Sequence, residues 1–357
     1  PVQELCEGAC VLGSEHNPIA IGRLQRYAMD SLGDGPWPVT VAAATGRRIA
    51  IVGAGPAGLS CAANLAILGH SVTLFERNDL AGGLSTYGII SLREPVEVSL
   101  KEVERVASLG VQICTGQELG RNLDLIKLQA EFDAVFLSVG LGQTPYLGIT
   151  GEDMIVDGLA YIDQSKMDRA ALPSGDNVLV IGAGNTAIDC ATIAKRTGAA
   201  HVTILYRRTA NEMTAYPHEV DFARREGIEF RFLTQPIEVI GTGGKVTGLR
   251  CTQMSMSGAD GNGRAASEPV SGSEHEICAD LVIKAIGQVK PTIVAQYGLV
   301  SERGYIQVDE NFETSQPGVF AGGDCVRARG DASTVMAVQD GKLAAQAIHE
   351  KVTNARK

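Results

Sequence analysis

The sequence is short of aromatic residues, basic charge and long apolar runs. Phe, Trp and Tyr make up 5% of the 357 residues, and only one of them is Trp. The net charge of −10 argues against a nucleic-acid surface, because such a surface needs a basic stripe. No apolar run approaches the roughly 20 residues that span a bilayer, and no secretory signal opens the chain. These absences predict a soluble, cytoplasmic protein that binds neither nucleic acid nor membrane.

Paired cysteines and recognisable catalytic motifs are also missing. Apart from Cys6 and Cys10, the eight cysteines stand singly, which is typical of reduced thiols and not of a disulfide framework. No C-x-x-C pair occurs, which argues against a dithiol relay. None of the six histidines lies in a recognisable catalytic motif. We therefore expect no catalytic acid, base or nucleophile, and a chemistry that belongs to bound cofactors.

Glycine is abundant, and two glycine motifs have the full context of a dinucleotide-binding site. The chain holds 42 glycines. The mostly apolar residues 48–52 (RIAIV) run into residues 53–58 (GAGPAG), and residues 177–181 (NVLVI) run into residues 182–187 (GAGNTA). Glycines at these positions allow a tight turn from strand to helix and let the backbone approach a pyrophosphate at the positive end of the helix. The two motifs predict two bound dinucleotides.

A second repeated feature delimits the domains. Residues 133–140 and 280–287 are both apolar strands that begin with Asp and end with Gly. Each would close one Rossmann-like domain, and the short remainder of the chain would return to the first domain. We predict an α/β fold with two dinucleotide-binding domains, the second inserted in the first, after a short helical segment. The predicted boundaries are 1–45 for that segment, 46–150 with 288–357 for the first domain, and 151–287 for the second.

The residue that ends the second strand of such a unit faces the adenosine ribose. In the first unit this residue is Glu76, whose carboxylate can accept hydrogen bonds from ribose hydroxyls. In the second unit it is Tyr206, followed by Arg207 and Arg208, two guanidiniums suited to a 2′-phosphate. The residues favour an unphosphorylated dinucleotide in the first site and NADP(H) in the second. A solvated strand end is the alternative reading of Glu76 and of the arginine pair.

Several motifs together resemble the two-dinucleotide flavoprotein fold. They are Glu76 with the Gly-Gly-Leu run at 82–84, the Ala-Gly-Gly-Asp run at 321–324 and the inserted second glycine motif. More narrowly, the chain resembles the electron-input part of dihydropyrimidine dehydrogenase and, less closely, the glutamate synthase small subunit, through residues 5–10, 21–25, 82–86 and 184–190. The resemblance covers essentially the whole chain. It implies FAD in the first domain and a nicotinamide dinucleotide in the inserted one.

The resemblance also implies a set of binding residues for each cofactor. The FAD set is Gly53, Gly55, Pro56, Ala57, Gly58, Glu76, Arg77, Gly82, Gly83, Leu84, Arg93, Leu119, Gly323, Asp324, Ser333 and Thr334. The nicotinamide set is Gly182, Gly184, Asn185, Thr186, Arg207, Arg208, Ala285 and Gly287. In this family the first glycine loop meets the FAD phosphates, the match of Asp324 meets the ribityl chain, and the match of Thr334 meets the flavin.

Two places depart from the family's pattern. Residues 90–95 read Ile-Ser-Leu-Arg-Glu-Pro where a Pro-x-Phe-Arg-Leu-Pro run is common, which alters the loop but keeps Arg93. Thr214 stands where the NADPH-using members have a further arginine, which weakens a 2′-phosphate clamp. Bacterial dihydropyrimidine dehydrogenases of this type use NADH. On balance the resemblance favours NADH slightly over NADPH.

Cys6, Cys10 and Gln25 resemble part of a [4Fe–4S] site that three cysteines and one glutamine hold. The third cysteine of that pattern would lie before Pro1. Because a cluster normally needs four protein ligands, we expect this chain alone to bind little or no cluster and the full-length protein to hold one. On spacing alone, two ordinary thiols are the alternative.

The resemblance implies an NAD(P)H-oxidising flavoprotein subunit of a hetero-oligomer. Electrons would pass through FAD and iron–sulfur clusters to an FMN/iron–sulfur partner that reduces uracil or thymine, as in NAD-dependent dihydropyrimidine dehydrogenase. A glutamate synthase small subunit or an NAD(P)H:ferredoxin oxidoreductase is the alternative enzyme. Outside catalysis, a nucleotide-binding regulatory module is the alternative.

Overall fold

The structure is a computed structural model that describes residues 2–33, 35, 37–259, 265–327 and 332–354. The chain divides between Val39 and Thr40 into a small N-terminal unit and a large unit. No helix of the described residues is both long enough and apolar enough to cross a membrane.

The helices and strands alternate through most of the large unit. The helices are α1 (Ile21–Leu32), α2 (Pro56–Ile67), α3 (Leu84–Tyr87), α4 (Val96–Ser108), α5 (Leu125–Glu131), α6 (Gly158–Met167), α7 (Asn185–Arg196), α8 (Pro217–Arg225), α9 (Ile293–Gln296) and α10 (Thr334–Asn354). The strands are β1 (Arg48–Val52), β2 (Ser71–Phe75), β3 (Gln112–Cys114), β4 (Ala134–Leu137), β5 (Val156–Asp157), β6 (Asn177–Ile181), β7 (His201–Leu205), β8 (Glu229–Arg231), β9 (Thr234–Thr242), β10 (Lys245–Ala259), β11 (Ala265–Pro269), β12 (His275–Cys278), β13 (Leu281–Lys284), β14 (Ser301–Glu302), β15 (Tyr305–Ile306) and β16 (Val319–Ala321).

The N-terminal unit holds one short 3₁₀ turn (Val11–Ser14) and the helix α1, which begins at the predicted residue. An ion pair one turn apart joins Arg26 to Asp30 (2.7 Å between Nε and Oδ2), a spacing that stabilises helices by a few tenths of a kcal/mol. None of the described residues of this unit is buried. Its helix therefore gains little from burial within the unit.

The first parallel sheet of the large unit has the strand order β16-β4-β1-β2-β3. Val52 at the end of β1 lies opposite Phe75 of β2 and Leu137 of β4. Strand β16 is reached only after the second sheet is complete, yet it pairs in parallel with β4. This return confirms that the second dinucleotide-binding domain is inserted in the first. We call this sheet with α2, α3, α4, α5 and α10 the first lobe.

The second parallel sheet has the order β5-β13-β6-β7-β8. Helices α6 and α7 pack against each other, and α8 packs against α7. The strands β9, β10, β11 and β12 form a separate antiparallel sheet. We call the second parallel sheet with α6, α7, α8 and these antiparallel strands the second lobe.

The repeated Asp-to-Gly strands serve the same role in both lobes. Oδ2 of Asp133 accepts from the N–H of Arg48 (2.8 Å), and Oδ2 of Asp280 accepts from the N–H of Asn177 (2.8 Å). Hydrogen bonds from Asn177 hold the pKa of Asp280 below its usual value. At Asp133, partial burial raises the pKa, but the hydrogen bonds from Arg48 and Arg47 outweigh burial, and the pKa again lies below its usual value. Each carboxylate ties β4 or β13 to the start of the neighbouring central strand.

Helix α10 packs closely on α2 and completes the core of the first lobe. A Cβ on Gly341 would lie 2.2 Å from the carbonyl oxygen of Ala57 and 2.9 Å from the nitrogen of Cys61. Residues 40–45, which the sequence places with the N-terminal segment, lie along this lobe instead. The N–H groups of Ala42 and Thr45 donate to carbonyls at the end of α2 and just after it.

We expect Gly341→Ala to lower the free energy of unfolding by about 1–3 kcal/mol, as overpacked substitutions do. Alanine is the better helix former by about 1 kcal/mol, but here its methyl group meets the backbone of α2. Urea unfolding of the purified protein measures the change. The neighbouring exposed substitution Lys342→Ala is the control and should stay within about 0.5 kcal/mol. Equal stability of the two variants would contradict the close packing of α10 on α2.

Candidate functional site

The first glycine loop is packed against the end of strand β4. Gly53 has φ of 100°, and a Cβ there would lie 2.3 Å from the carbonyl oxygen of Ser138. A Cβ on Gly58 would lie 1.9 Å from the carbonyl oxygen of Gly53. The Ser138 hydroxyl donates to that same carbonyl (2.8 Å). Both positions therefore require glycine for local steric reasons.

Gly55 is different, because the fold leaves room for a side chain there. Its φ is −75°, and the atom nearest to an added Cβ is the Cα of Gly83 at 3.9 Å. Gly55 caps α2, which begins with Pro56 and has no side-chain cap. The N–H groups of the first turn are thus available to an anion, and a methyl group at 55 would occupy the approach of a pyrophosphate. This open helix end fits the phosphates of FAD.

Glu76 and the glycine pair at 82–83 border the first loop. Glu76 is 4% exposed, and its carboxylate accepts from the N–H groups of Ala54 (2.8 Å) and Asn78 (2.9 Å). Each carboxylate oxygen keeps a further lone pair for a ribose hydroxyl. A Cβ on Gly83, whose φ is 59°, would lie 2.6 Å from the Cα of Gly55. The structure therefore brings the loop, the strand-end acid and this glycine pair together.

The second segment of the first lobe reaches the same loop through Gly323. A Cβ on Gly323 would lie 3.0 Å from the Cβ of Ala57, and its N–H donates to Oδ2 of Asp340 (2.9 Å). Asp340 is buried and pairs with Arg327. Burial raises the pKa of Asp324, Arg327 opposes the rise, and Asp340 adds to it. Sequence reasoning missed Asp340, although a lone acid on the small apolar face of the last helix is a usable signal.

The second glycine loop repeats this construction. Gly182 has φ of 135°, and a Cβ there would lie 2.1 Å from the carbonyl oxygen of Ala285. Gly184 has φ of −94°, and the atom nearest to an added Cβ is Oγ1 of Thr214 at 3.3 Å. Gly184 caps α7, again without a side-chain cap. A second open helix end therefore fits the phosphates of a second dinucleotide.

The two arginines that follow β7, at the predicted adenosine end of the second site, differ in exposure. Arg207 is exposed, whereas Arg208 is only 9% exposed. The side chain of Asn185 does not point freely from the loop, because its Oδ1 accepts from the N–H of Tyr216 (3.0 Å). Of the pair, only Arg207 therefore presents its side chain to solvent beside the second strand.

The other predicted residues lie at helix starts, at the surface or against the core of the first lobe. Pro56 and Ala57 form the first turn of α2, Thr186 the first turn of α7, and Ser333 and Thr334 the start of α10. Arg77 and Leu84 are exposed, and Leu119 packs against the core of the first lobe. Gly287, with φ of 95°, follows Ala285. Their contacts with cofactors stay predictions.

Arg93, predicted to line the flavin, makes its ion pairs with the second lobe. Its Nη2 lies 3.0 Å from Oδ1 of Asp189 in α7, and its Nη1 lies 2.9 Å from Oε1 of Glu219 in α8. Both acids are buried, with side chains 8% and 7% exposed. Burial raises the pKa of Asp189 to about 7; the Arg93 guanidinium opposes that rise, and Glu219 adds to it. Nothing in the local sequence marks these two acids as partners of Arg93.

The predicted iron–sulfur residues lie in the N-terminal unit. Cys6 is exposed and Cys10 half-buried, and both are free thiols. Backbone N–H groups, that of Ile19 foremost, lower the pKa of Cys10, as suits a thiolate ligand. Cys10 also lines an open hollow of about 680 Å³. Among the described residues no group of three or more His, Cys, Asp or Glu side chains is placed to hold a metal ion. Cys6, Cys10 and Gln25 would supply at most part of a cluster's ligands.

Comparison with known proteins agrees with this architecture. The profile of pyridine nucleotide-disulphide oxidoreductases matches residues 47–348, and that of dihydropyrimidine dehydrogenase domain II, 4Fe-4S cluster, matches residues 1–35. The structure of Mycobacterium tuberculosis FprA in complex with NADPH superposes with a TM-score of 0.69 over 87% of this chain and 85% of FprA. At 21% sequence identity, that likeness concerns the fold alone.

Two curated relatives align with almost the whole chain. The NADP(+)-dependent formate dehydrogenase subunit beta of Moorella thermoacetica is 36% identical over 97% of this chain and 53% of its own length. The glutamate synthase [NADPH] small chain of Escherichia coli (strain K12) is 36% identical over 98% of this chain and 78% of its own length. The chain thus spans about half of the first relative and most of the second.

The two helix-capping glycines allow the cofactor sites to be tested, since a Cβ at Gly55 meets no close atom and one at Gly184 requires only a small shift of the Thr214 hydroxyl. We expect Gly55→Ala to abolish retention of FAD while leaving the stability of the FAD-free protein unchanged or raised by up to about 1 kcal/mol. Gly184→Ala should keep FAD and weaken nicotinamide dinucleotide binding at least about tenfold. Absorbance of the purified variants and calorimetric titration with NADPH measure both effects. Full FAD content in Gly55→Ala would contradict the assignment of the first loop.

The buried Asp189 carboxyl predicts a pH dependence of stability. The folded protein holds this proton up to about pH 7, whereas an unfolded Asp loses it near pH 4. The stability that the site contributes is therefore fully present below about pH 4 and is lost as the pH rises through about 7. Asp189→Asn should flatten the fall in unfolding temperature over this range.

Thermal unfolding from pH 4 to 8 measures the effect of Asp189→Asn. Asp280→Asn is the control of opposite sign, because the lowered pKa of Asp280 adds stability above the unfolded value. Parallel pH profiles for wild type and Asp189→Asn would show that Asp189 ionises as it does in the unfolded chain.

Proposed function

The chain belongs to the pyridine nucleotide-disulphide oxidoreductase family, and we propose that it is the electron-input flavoprotein of a larger assembly, oxidising NADPH with FAD. The observation that carries the proposal is the duplicated glycine loop. Two lobes of one compact unit each present an uncapped helix start at the carboxyl end of a parallel sheet. Such a pair suits an enzyme that brings two dinucleotides together better than it suits a nucleotide-binding regulatory module.

The residues of the first lobe suit FAD. The first helix end would take the pyrophosphate, Glu76 the adenosine ribose and Asp324 the ribityl chain. When bound, FAD accepts a hydride from the nicotinamide and can release the electrons singly. The protein's own part is to hold and orient the two ring systems and to keep water from between them. No side chain of the protein has to move a proton for the hydride step.

NADPH is proposed as the reductant. The sequence motifs favour NADH slightly, because Thr214 stands where the NADPH-using members have a further arginine. The two curated relatives are named for NADP(+) and NADPH, and give no support to NADH. Arg207 is exposed just after the end of β7, and a guanidinium there would suit the charge of a 2′-phosphate. Arg208 is buried and would contribute to the position of the loop.

The electron acceptor is proposed to be a partner subunit. Both relatives are named as one subunit or chain of a larger enzyme, and the one that this chain spans best is a glutamate synthase small chain. A glutamate-synthase-type partner is therefore favoured over the pyrimidine-reducing partner that the sequence motifs favour. The profile match at residues 1–35 supports an iron–sulfur segment as the exit for electrons.

Cofactor content and reductant choice test the proposed function. The purified protein should be yellow, should release FAD on denaturation, and should reduce an artificial dye faster with NADPH than with NADH. Release of a different nucleotide, or a dye reaction that no nicotinamide dinucleotide supports, would overturn it.

We expect Arg207→Ala to raise the KM for NADPH at least tenfold and to change the KM for NADH less than about twofold, because charged contacts to a phosphate are strong. Steady-state dye reduction measures both constants. Arg231→Ala, which removes an exposed arginine from the end of β8 in the same sheet, is the control and should change neither constant. Equal losses with both dinucleotides would contradict the role of Arg207.

Cys6→Ser should separate hydride transfer from electron exit. Dye reduction by NADPH should stay within about twofold of wild type, since the thiol lies outside both glycine loops. When the natural protein carries the same substitution, reduction of its electron-accepting partner should be lost, because a cluster needs its thiolates. Unchanged partner reduction would show that Cys6 is not a ligand.

A further inference from the structure

Two linkers, residues 138–147 and 285–292, join the first lobe to the second. They run side by side: the N–H of Gly142 donates to the carbonyl of Val289 (2.9 Å), and the N–H of Val289 donates to that of Gln143 (2.8 Å). Two linkers that run side by side still allow the lobes to rotate about the direction that the linkers share. Other contacts must therefore set the angle between the lobes.

The segment 84–94 supplies such contacts, although it belongs to the first lobe by sequence. Ile90 is 3% exposed and packs in the core of the second lobe, with Tyr161 and Ile188. The ammonium group of Lys166, in α6, donates to three carbonyls of the segment. These carbonyls belong to Ser85 (2.8 Å), Ile89 (2.5 Å) and Glu94 (3.1 Å). All three donors of this lysine are used on a single segment.

Arg93 extends the same segment to the two helices that carry the second glycine loop. Asp189 lies in α7, which begins at that loop, and Glu219 lies in the first turn of α8. Just before α8, the N–H of Tyr216 donates to the side chain of Asn185 in the loop itself. The guanidinium of Arg93, in segment 84–94, therefore contacts both α7, which begins at the second loop, and α8, which is joined to that loop through Tyr216.

The other end of the segment meets the first glycine loop. Gly83, immediately before it, approaches Gly55 so closely that a Cβ would lie 2.6 Å from the Gly55 Cα. A stretch of about a dozen residues thus touches the first loop at one end and the helices of the second loop at the other.

The ion pairs at Arg93 are hard to replace. Burial and, after it, the Glu219 carboxylate raise the pKa of Asp189, and Nε2 of the His218 imidazole lies 3.9 Å from Oε1 of Glu219. Loss of Arg93 would leave two buried carboxyls facing each other, which is strongly unfavourable. The interaction therefore favours one arrangement of the segment against α7 and α8.

We propose that Arg93 is a positioning residue that, together with Lys166, fixes segment 84–94 to the second lobe and so sets the angle at which the two cofactor loops face each other. The proposal rests on the proposed function, because the angle matters only where a hydride crosses between the lobes. A displacement of about 1 Å between reacting groups can slow a reaction roughly a hundredfold.

Flavin reduction and hydrogen exchange in four variants test this role. The variants are Arg93→Met, Arg93→Lys, the double variant Asp189→Asn/Glu219→Gln, and the control Arg196→Met. Arg196 pairs with Glu226 (2.9 Å) and joins the same two helices at their far ends, but within the second lobe.

We expect Arg93→Met and the double variant to lower the limiting rate of flavin reduction by NADPH about tenfold or more, with the Kd for NADPH changed less than about threefold. Arg93→Lys should recover to within about threefold of wild type, and Arg196→Met should match wild type. Wild-type rates in Arg93→Met would overturn the proposal. So would a slow Arg93→Met beside a fast double variant, since Arg93 would then act on the flavin directly.

Hydrogen exchange of the FAD-free protein is the independent readout. Arg93→Met and the double variant should speed exchange in residues 84–94 and in both linkers, and Arg196→Met should not. Unchanged exchange there would overturn the proposal even if flavin reduction were slow. If NADPH and NADH both failed to reduce the wild type, the proposed function would fail, whereas the exchange result would still decide whether Arg93 anchors the segment.

Discussion

In each lobe the backbone after the central strand touches the backbone after the neighbouring strand, with no space for a side chain between them. Gly53 meets Ser138 in the first lobe, and Gly182 meets Ala285 in the second. Because of this contact, the following helix starts directly at the carboxyl edge of the sheet, with its first N–H groups unclaimed by any side-chain cap. The cofactor sites, their polarity and their position all depend on this one steric constraint.

The two lobes then differ in what surrounds the same construction. In the first, a nearly buried acid at the strand end, Glu76, braces the loop through the N–H of Ala54. In the second, the strand end carries an exposed guanidinium, Arg207. An acid repels a 2′-phosphate and accepts from ribose hydroxyls, whereas a guanidinium attracts the phosphate. Under the proposed function, these opposite charges on a repeated scaffold would favour FAD in the first lobe and NADPH in the second.

Most of the fold could be predicted from local signals in the sequence. Strands β1 and β6, helix α7 and the insertion of the second lobe follow from glycine spacing and apolar runs, since those signals arise within a few residues of each other. The partners of Arg93 and the burial of Arg208 could not be predicted, because both depend on packing between segments far apart in the chain. Residues 40–45 lie on the other side of the division at Val39 from the predicted one, because hydrogen bonds from Ala42 and Thr45 hold them to the first lobe. Motifs therefore predicted the two glycine loops but not the ion pairs that join one lobe to the other.

Anaerobic titration of the FAD-loaded protein with NADPH tests the central claim most directly. If the two glycine loops hold FAD and NADPH for direct hydride transfer, one equivalent of NADPH should bleach the flavin completely. Flavin that a chemical reductant bleaches, but that excess NADPH and excess NADH both leave oxidised, would contradict the account.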